Sequence, residues 1–105
     1  MSSTKQYLDF ILDGLSELDD ITFRPMMGEY ILYYRGKVFG GIYDNRFLVK
    51  PTGSAKELMP QAQSELPYEG AKEMLLAENI EDRDFLKRLV EEMYAELPEP
   101  KKRRK

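Results

Sequence analysis

Glu29-Tyr30-Ile31-Leu32-Tyr33-Tyr34, Val38-Phe39-Gly40-Gly41-Ile42-Tyr43 and Arg46-Phe47-Leu48-Val49-Lys50 are three runs rich in aromatic and β-branched residues. Arg35-Gly36-Lys37 separates the first two, and Asp44-Asn45 separates the second and third. Runs of this length, broken by Gly and Asp-Asn turn signals, read as an antiparallel meander. The chain enters it through Arg24-Pro25-Met26-Met27-Gly28. Pro25 has no N–H to give a ladder, so it is expected to interrupt or end the short strand Ile21–Arg24. Gly28 then offers a turn or bulge.

Working outward, both flanks read as helical. Ser3 with Gln6 forms a capping-box pattern, and Tyr7, Phe10, Ile11, Leu15 and Leu18 recur at helical spacing. That predicts a helix from about Thr4 to Asp19-Asp20. Beyond the meander, Pro51 stops the third strand, and Ser54 with Glu57 opens a short helix that Pro60 closes. Residues 60–70 look like a long connection. Glu73 to Ala77 reads as a strand, because Asp82 supplies a fresh N-cap just beyond it. Phe85, Leu86, Leu89, Val90, Met93, Tyr94 and Leu97 then form an apolar helical stripe ended by Pro98 and Pro100. The expected architecture is α+β: one domain over residues 1–98, followed by a basic mobile tail over 99–105.

Composition narrows the function. At 105 residues the chain fits one core, and 42% apolar residues suffice to fill it. It has no cysteine and no histidine. That excludes disulfides and thiolate metal sites, and removes the commonest general base, metal ligand and nucleophile activator. No catalytic, metal or cofactor site is expected, and the protein reads as a non-enzyme. No apolar run approaches a membrane span, and the first residues lack the pattern of a secretory leader, so the reading is cytoplasmic. Net charge is −3 but unevenly spread: residues 24–50 carry +3, residues 51–100 carry −7, and Lys101-Lys102-Arg103-Arg104-Lys105 adds +5. An acidic body repels phosphate backbones, which argues against a dedicated nucleic-acid binder. The acids at Glu81-Asp82-Arg83-Asp84 and Glu91-Glu92 read as solvated helix faces.

The pleat assigns side chains to faces. Two-residue turns at both hairpins put Ile31, Tyr33, Val38, Gly40, Ile42, Phe47 and Val49 on one face, which helices should cover. Tyr30, Leu32, Tyr34, Phe39, Gly41, Tyr43, Arg46, Leu48 and Lys50 fall on the other. That second face makes Tyr34, Phe39, Tyr43, Arg46 and Leu48 candidate interface residues, with a homodimer as the expected partner. Aromatics beside cations can instead stack bases and hold phosphates, so nucleic-acid contact through this face and the tail is the alternative. Arg24 and Glu29 flank the Met-Met-Gly turn and can pair with each other. With Tyr68 they form a further alternative, a small-molecule site. Met26 and Met27 read as core plugs or interface filler.

Arg24-Pro25-Met26-Met27-Gly28-Glu29-Tyr30, followed by Tyr33 to Phe39 and by Phe47-Leu48-Val49-Lys50, resembles the TfoX (Sxy) N-terminal domain family. The resemblance runs to about Leu97. It implies a two-layer sandwich, an antiparallel sheet packed by helices, in the approximate order α-β3-α-β2-α, with part of residues 66–79 supplying the last strands. It implies a free-standing N-terminal-domain member of a group that regulates natural competence, acting with the cyclic-AMP receptor protein. A regulatory or protein-interaction role with a regulatory protein partner follows from that resemblance. Arg24, Met27, Gly28 and Lys50 match the family's pattern, and Met26, Glu29, Tyr30 and Tyr68 complete the candidate binding or signature set. The resemblance assigns no catalytic residue.

Overall fold

The computed structural model describes residues 3–77 and 79–98. The expectations for the basic tail, residues 99–105, lie outside them. Nine elements follow in the order α1 (Lys5–Gly14), β1 (Ile21–Met26), β2 (Glu29–Tyr34), β3 (Lys37–Ile42), β4 (Phe47–Val49), α2 (Gly53–Leu58), β5 (Ser64–Glu65), β6 (Met74–Leu76) and α3 (Arg83–Tyr94). The strands form one six-stranded sheet in the order β1-β2-β3-β4-β6-β5, antiparallel throughout. The chain is therefore α+β, as expected. Four strands precede α2, the short strand read at Ile21–Arg24 and the three of the meander, where the resemblance implied three; β1 runs on to Met26 and pairs along the whole of β2.

Three two-residue turns build the meander: Met27-Gly28, Arg35-Gly36 and Asp44-Asn45. All six residues have positive φ, from 52° to 86°. This is the sign pattern of the hairpin turn whose twist matches the flanking strands. Pro25 does not end its strand. It pairs with Tyr30 one step from the Met26–Glu29 pair that closes the turn. Hydrogen-bonded and open pairs alternate along an antiparallel ladder. Pro25 thus occupies an open pair, and its missing N–H lies on the outer side of an edge strand, where the ladder loses nothing.

A bulge decides the faces. Leu32 pairs with Gly40, but the next residue, Tyr33, pairs with Val38, so Phe39 is the extra residue in β3. One inserted residue reverses the alternation beyond it. The expected division of β2 is accordingly inverted: Leu32 is fully buried and Tyr34 is 5% exposed, whereas Ile31 and Tyr33 are half-buried. Leu32, Tyr34, Phe39, Ile42, Phe47 and Val49 join one core with Leu8, Ile11 and Leu15 of the α1 region, Ala55 of α2, and Leu86, Leu89, Val90 and Met93 of α3. All three helices thus line one face of the sheet, giving the two-layer sandwich.

The helix caps were partly legible. Asp82 caps α3, its side chain accepting from Phe85 N. Thr4 caps α1 and Thr52 caps α2, each one or two residues from the serine expected there. α1 ends at Gly14 instead of running to Asp19-Asp20, and Leu15 and Leu18 enter the core from the turns that follow. Lys37, 7% exposed, lies under the C-terminus of α3: its Nζ donates to Tyr94 O at 3.2 Å and sits 4.2 Å from the Tyr94 ring centre. A cation there meets the negative end of the helix dipole. Among the described residues no helix is long and apolar enough to cross a membrane.

Candidate binding surfaces

The sheet face away from the helices is the candidate surface. Thr22, Arg24 and Met26 of β1, Glu29, Ile31 and Tyr33 of β2, Gly41 of β3 and Leu48 of β4 alternate onto it, and Tyr43, Arg46 and Lys50 extend it. Tyr34 and Phe39 do not belong to it. They sit in the core, with Tyr34 edge-on to Tyr94 at 5.3 Å and Phe39 edge-on to Phe47 at 6.3 Å. Tyr30 also turns to the helix side, half-buried and edge-on to Phe23 at 5.8 Å. The bulge is the cause, and it withdraws three aromatics from the stacking platform expected here.

One end of this face is covered by residues 66–73, which join β5 to β6 and form a strap. Arg46 anchors it: Nη1 pairs with Glu65 Oε1 at 2.5 Å and Nη2 donates to Leu66 O at 3.2 Å. Ala71 N donates to Tyr68 O and closes a turn. Tyr68 rests against Tyr43 with ring centres 6.1 Å apart. Tyr43 lies over Gly41, where any Cβ would come within 2.6 Å of its ring. Beneath the strap Tyr43 is 6% exposed and Leu48 is fully buried, so Leu48 is not an exposed contact residue. Burial pushes the Tyr43 phenol above its ordinary 10.0, with Tyr68, Glu29 and Tyr33 adding to the shift.

The strap and the end of β4 enclose a cleft of about 370 Å³ lined by Tyr43, Lys50, Pro51, Pro67, Tyr68, Ala71, Lys72, Glu73 and Met74. Lys50 and Tyr68, two expected site residues, meet here. Arg24 is elsewhere, in a shallow groove with Thr22, Phe23, Tyr33 and Gly36. Glu29 lines neither depression. The three residues of the expected small-molecule site are therefore not brought together.

Glu29 has a different task. Its Oε1 accepts from Ser3 Oγ at 2.6 Å and from Asp44 N at 3.0 Å. Ser3 Oγ accepts in turn from Asn45 N at 2.9 Å, Ser3 N donates to Gly28 O, and Asn45 Oδ1 accepts from Thr4 N. One carboxylate thus joins the chain's start to two hairpin tips. The expected Arg24–Glu29 pair is not formed, and Arg24 makes no ion pair among the described residues. Met27 projects from its hairpin tip 95% exposed at φ 53°, while Met26 is half-buried. Met27 is therefore no core plug.

Ser3 and Asn45 stand out in the sequence only as a helix cap and a turn residue, not as partners of Glu29, and Pro67, Lys72 and Met74 not as site residues at all. Ser3 and Asn45 meet across 42 positions, a separation no local pattern reports. The long connection expected over residues 60–70, with Tyr68 in it, is where the strap begins.

The TfoX N-terminal domain family matches residues 13–97. The chain belongs to that family. It is also similar to an uncharacterized 12.7 kDa protein in the trpE 5′ region of Spirochaeta aurantia, 33% identical over 105 residues that cover 99% of this chain and 91% of the relative. No solved structure matches it. In this TfoX N-terminal domain, Met27 and Gly28 form the first hairpin turn, Arg24 stands exposed beside it, and Lys50 lies at the cleft.

Proposed function

We propose that this TfoX N-terminal domain is a non-catalytic, cytoplasmic regulatory module that works by protein contact, with a second copy of the chain as partner. The contact centres on the β1–β2 hairpin and the open sheet face next to it. Met27 carries this reading. A Met at φ 53° occupies the left-handed region, which costs a residue with a Cβ about 1 kcal/mol. At 95% exposure, contacts within the chain offset little of that cost. Asn or Gly would sit there with less strain, so a large apolar side chain held in this pose suits an external contact. Met26, Ile31 and Tyr33 are half-buried on the same side, and Arg24 stands exposed among them. A cluster of apolar side chains with an arginine is the usual make-up of a protein interface. Membership of a family named for competence regulators supports a regulatory role.

The test is sedimentation velocity from about 1 to 100 µM, the range in which regulatory dimers of modest affinity form. Wild type is expected to dimerise, and Met27→Asn and Tyr33→Ala to dimerise more weakly. Met27→Asn is also expected to melt at a higher temperature than wild type. A wild-type chain that stays monomeric throughout removes the second copy as partner. A Met27→Asn chain that dimerises as well as wild type removes the hairpin.

A further inference from the structure

The cleft under the strap combines four features that point to a ligand and that the hairpin contact leaves unused. Its volume, about 370 Å³, falls in the range of small-molecule sites. Its walls are mostly apolar: the Tyr43 and Tyr68 rings, Pro51, Pro67, Ala71 and Met74. Its frame is held before any ligand arrives, because the Arg46–Glu65 pair and the Arg46–Leu66 hydrogen bond fix the start of the strap and the Ala71–Tyr68 turn fixes its middle. A preformed site avoids the ordering cost that weakens binding to loose loops.

The fourth feature is charge. Lys50 and Lys72 both line the cleft, and neither side chain makes an ion pair or hydrogen bond among the described residues. Arg46, Arg83 and Lys37 are engaged, with Glu65, Asp13 and Tyr94; Arg24 is unpaired among the described residues like the two lysines, but it lies in a different groove, and only Lys50 and Lys72 meet at this cleft. Glu73 also lines the cleft, so the two ammonium groups exceed the local acid by one charge. An apolar cleft walled on one side by two touching tyrosines, with surplus positive charge, is complementary to a flat ring carrying one negative group.

We infer that this cleft binds a small aromatic monocarboxylate, its ring against Tyr43, Tyr68 and Met74 and its carboxylate held by Lys50 and Lys72. Tyr43 supplies ring surface to the cleft, and its hydroxyl makes no hydrogen bond among the described residues. The site is separate from the hairpin contact, and either can fail without the other.

The experiment is amide chemical-shift mapping on the whole chain. It uses benzoate and indole-3-acetate, their neutral amides, hexanoate and inorganic phosphate, each to about 5 mM, where a ligand of a dozen heavy atoms should bind measurably. Saturable shifts confined to Tyr43, Lys50 and residues 68–74 are expected for both aromatic acids. The amides are expected to bind about fivefold more weakly, the worth of one partly exposed ion pair. Lys50→Met and Lys72→Met are each expected to weaken the acids and leave the amides unchanged, and the unchanged amide affinity shows that the variant still folds. Absence of saturable shifts with both acids, or shifts mapping elsewhere, overturns the proposal. Amides that match the acids overturn the carboxylate. Hexanoate that matches benzoate overturns the aromatic ring, and phosphate binding in place of the acids reduces the site to a charge trap and overturns it too.

Discussion

Gly40→Ala should be among the most damaging single-methyl changes in this protein. Gly40 follows the bulged Phe39 and pairs with both Leu32 and Val49. A Cβ at this position would fall well inside the contact shell of the Leu48 carbonyl oxygen and 2.9 Å from Val49 Cα. Both are backbone atoms, so no rotamer change relieves the clash. β4 would have to move, yet β4 is pinned between β3 and β6 in mid-sheet. Added bulk in a packed core costs roughly 1 to 3 kcal/mol where side chains can give way, so a purely backbone clash belongs at about 3. For a domain of this size that lowers the melting midpoint by roughly 12 to 24 °C. Thermal and urea unfolding followed by circular dichroism measure both quantities. Gly53→Ala is the control: it lies in the first turn of α2, a Cβ there would be 3.6 Å from the Glu96 carboxylate, and it should stabilise by about 0.5 kcal/mol. A Gly40→Ala chain within about 1 kcal/mol of wild type would show that β3 and β4 do not approach as described. The bulge that sets the faces would then be misplaced.

The inverted β2 faces give a second check: Leu32→Ala should lose about 3 kcal/mol and Ile31→Ala no more than about 1, and equal losses in urea unfolding would contradict the register. Glu29→Ala leaves the Asp44 amide and the Ser3 hydroxyl without their shared acceptor, and should cost about 1 to 2 kcal/mol. Hydrogen exchange at the Asp44 amide should speed up in that variant and not in Glu57→Ala. Ser54 N and Oγ hold the Glu96 carboxyl below its ordinary 4.5, so the folded state favours the carboxylate. That contribution is complete above pH 4.5 and fades as pH falls through the lowered value. Acid titration of the melting midpoint should therefore be shallower for Glu96→Gln than for wild type.

Sequence carried the elements well because they are written locally. The Leu86–Met93 stripe, the Asp82 cap and the Gly36 and Asp44-Asn45 turns each lie within a few residues, and each stands where it was read. The faces were not legible, because a bulge has no local signature. Phe39 looks like any strand residue, and only the pairing with β2 makes it the inserted one, with Gly40 next to it leaving room for the close β4 backbone. Tyr34 and Phe39 were consequently assigned to the open side, while Tyr43 and Lys50, beyond the bulge, were placed correctly. The candidate site was half legible for a similar reason. Lys50 and Tyr68 stood out individually, but they come together through an ion pair between Arg46 and Glu65, nineteen residues apart. The Arg24–Glu29 pairing failed because Ser3 and Asp44 offered Glu29 closer donors, one of them from the far end of the meander.

Pro25 has one more effect, on how copies of this chain can meet. Strand β1 is a six-residue edge, the kind of border onto which a second molecule could add and begin a filament. At the opposite border β5 is two residues long. Along β1 the outward-facing N–H groups alternate, and Pro25 deletes the one nearest the hairpin, leaving those of Ile21 and Phe23. A growing ribbon would stall there with its ladder incomplete. Association through the open face stops at a closed pair, whereas association through the edges has no natural end. One missing hydrogen on the rim thus steers the molecule away from open-ended growth.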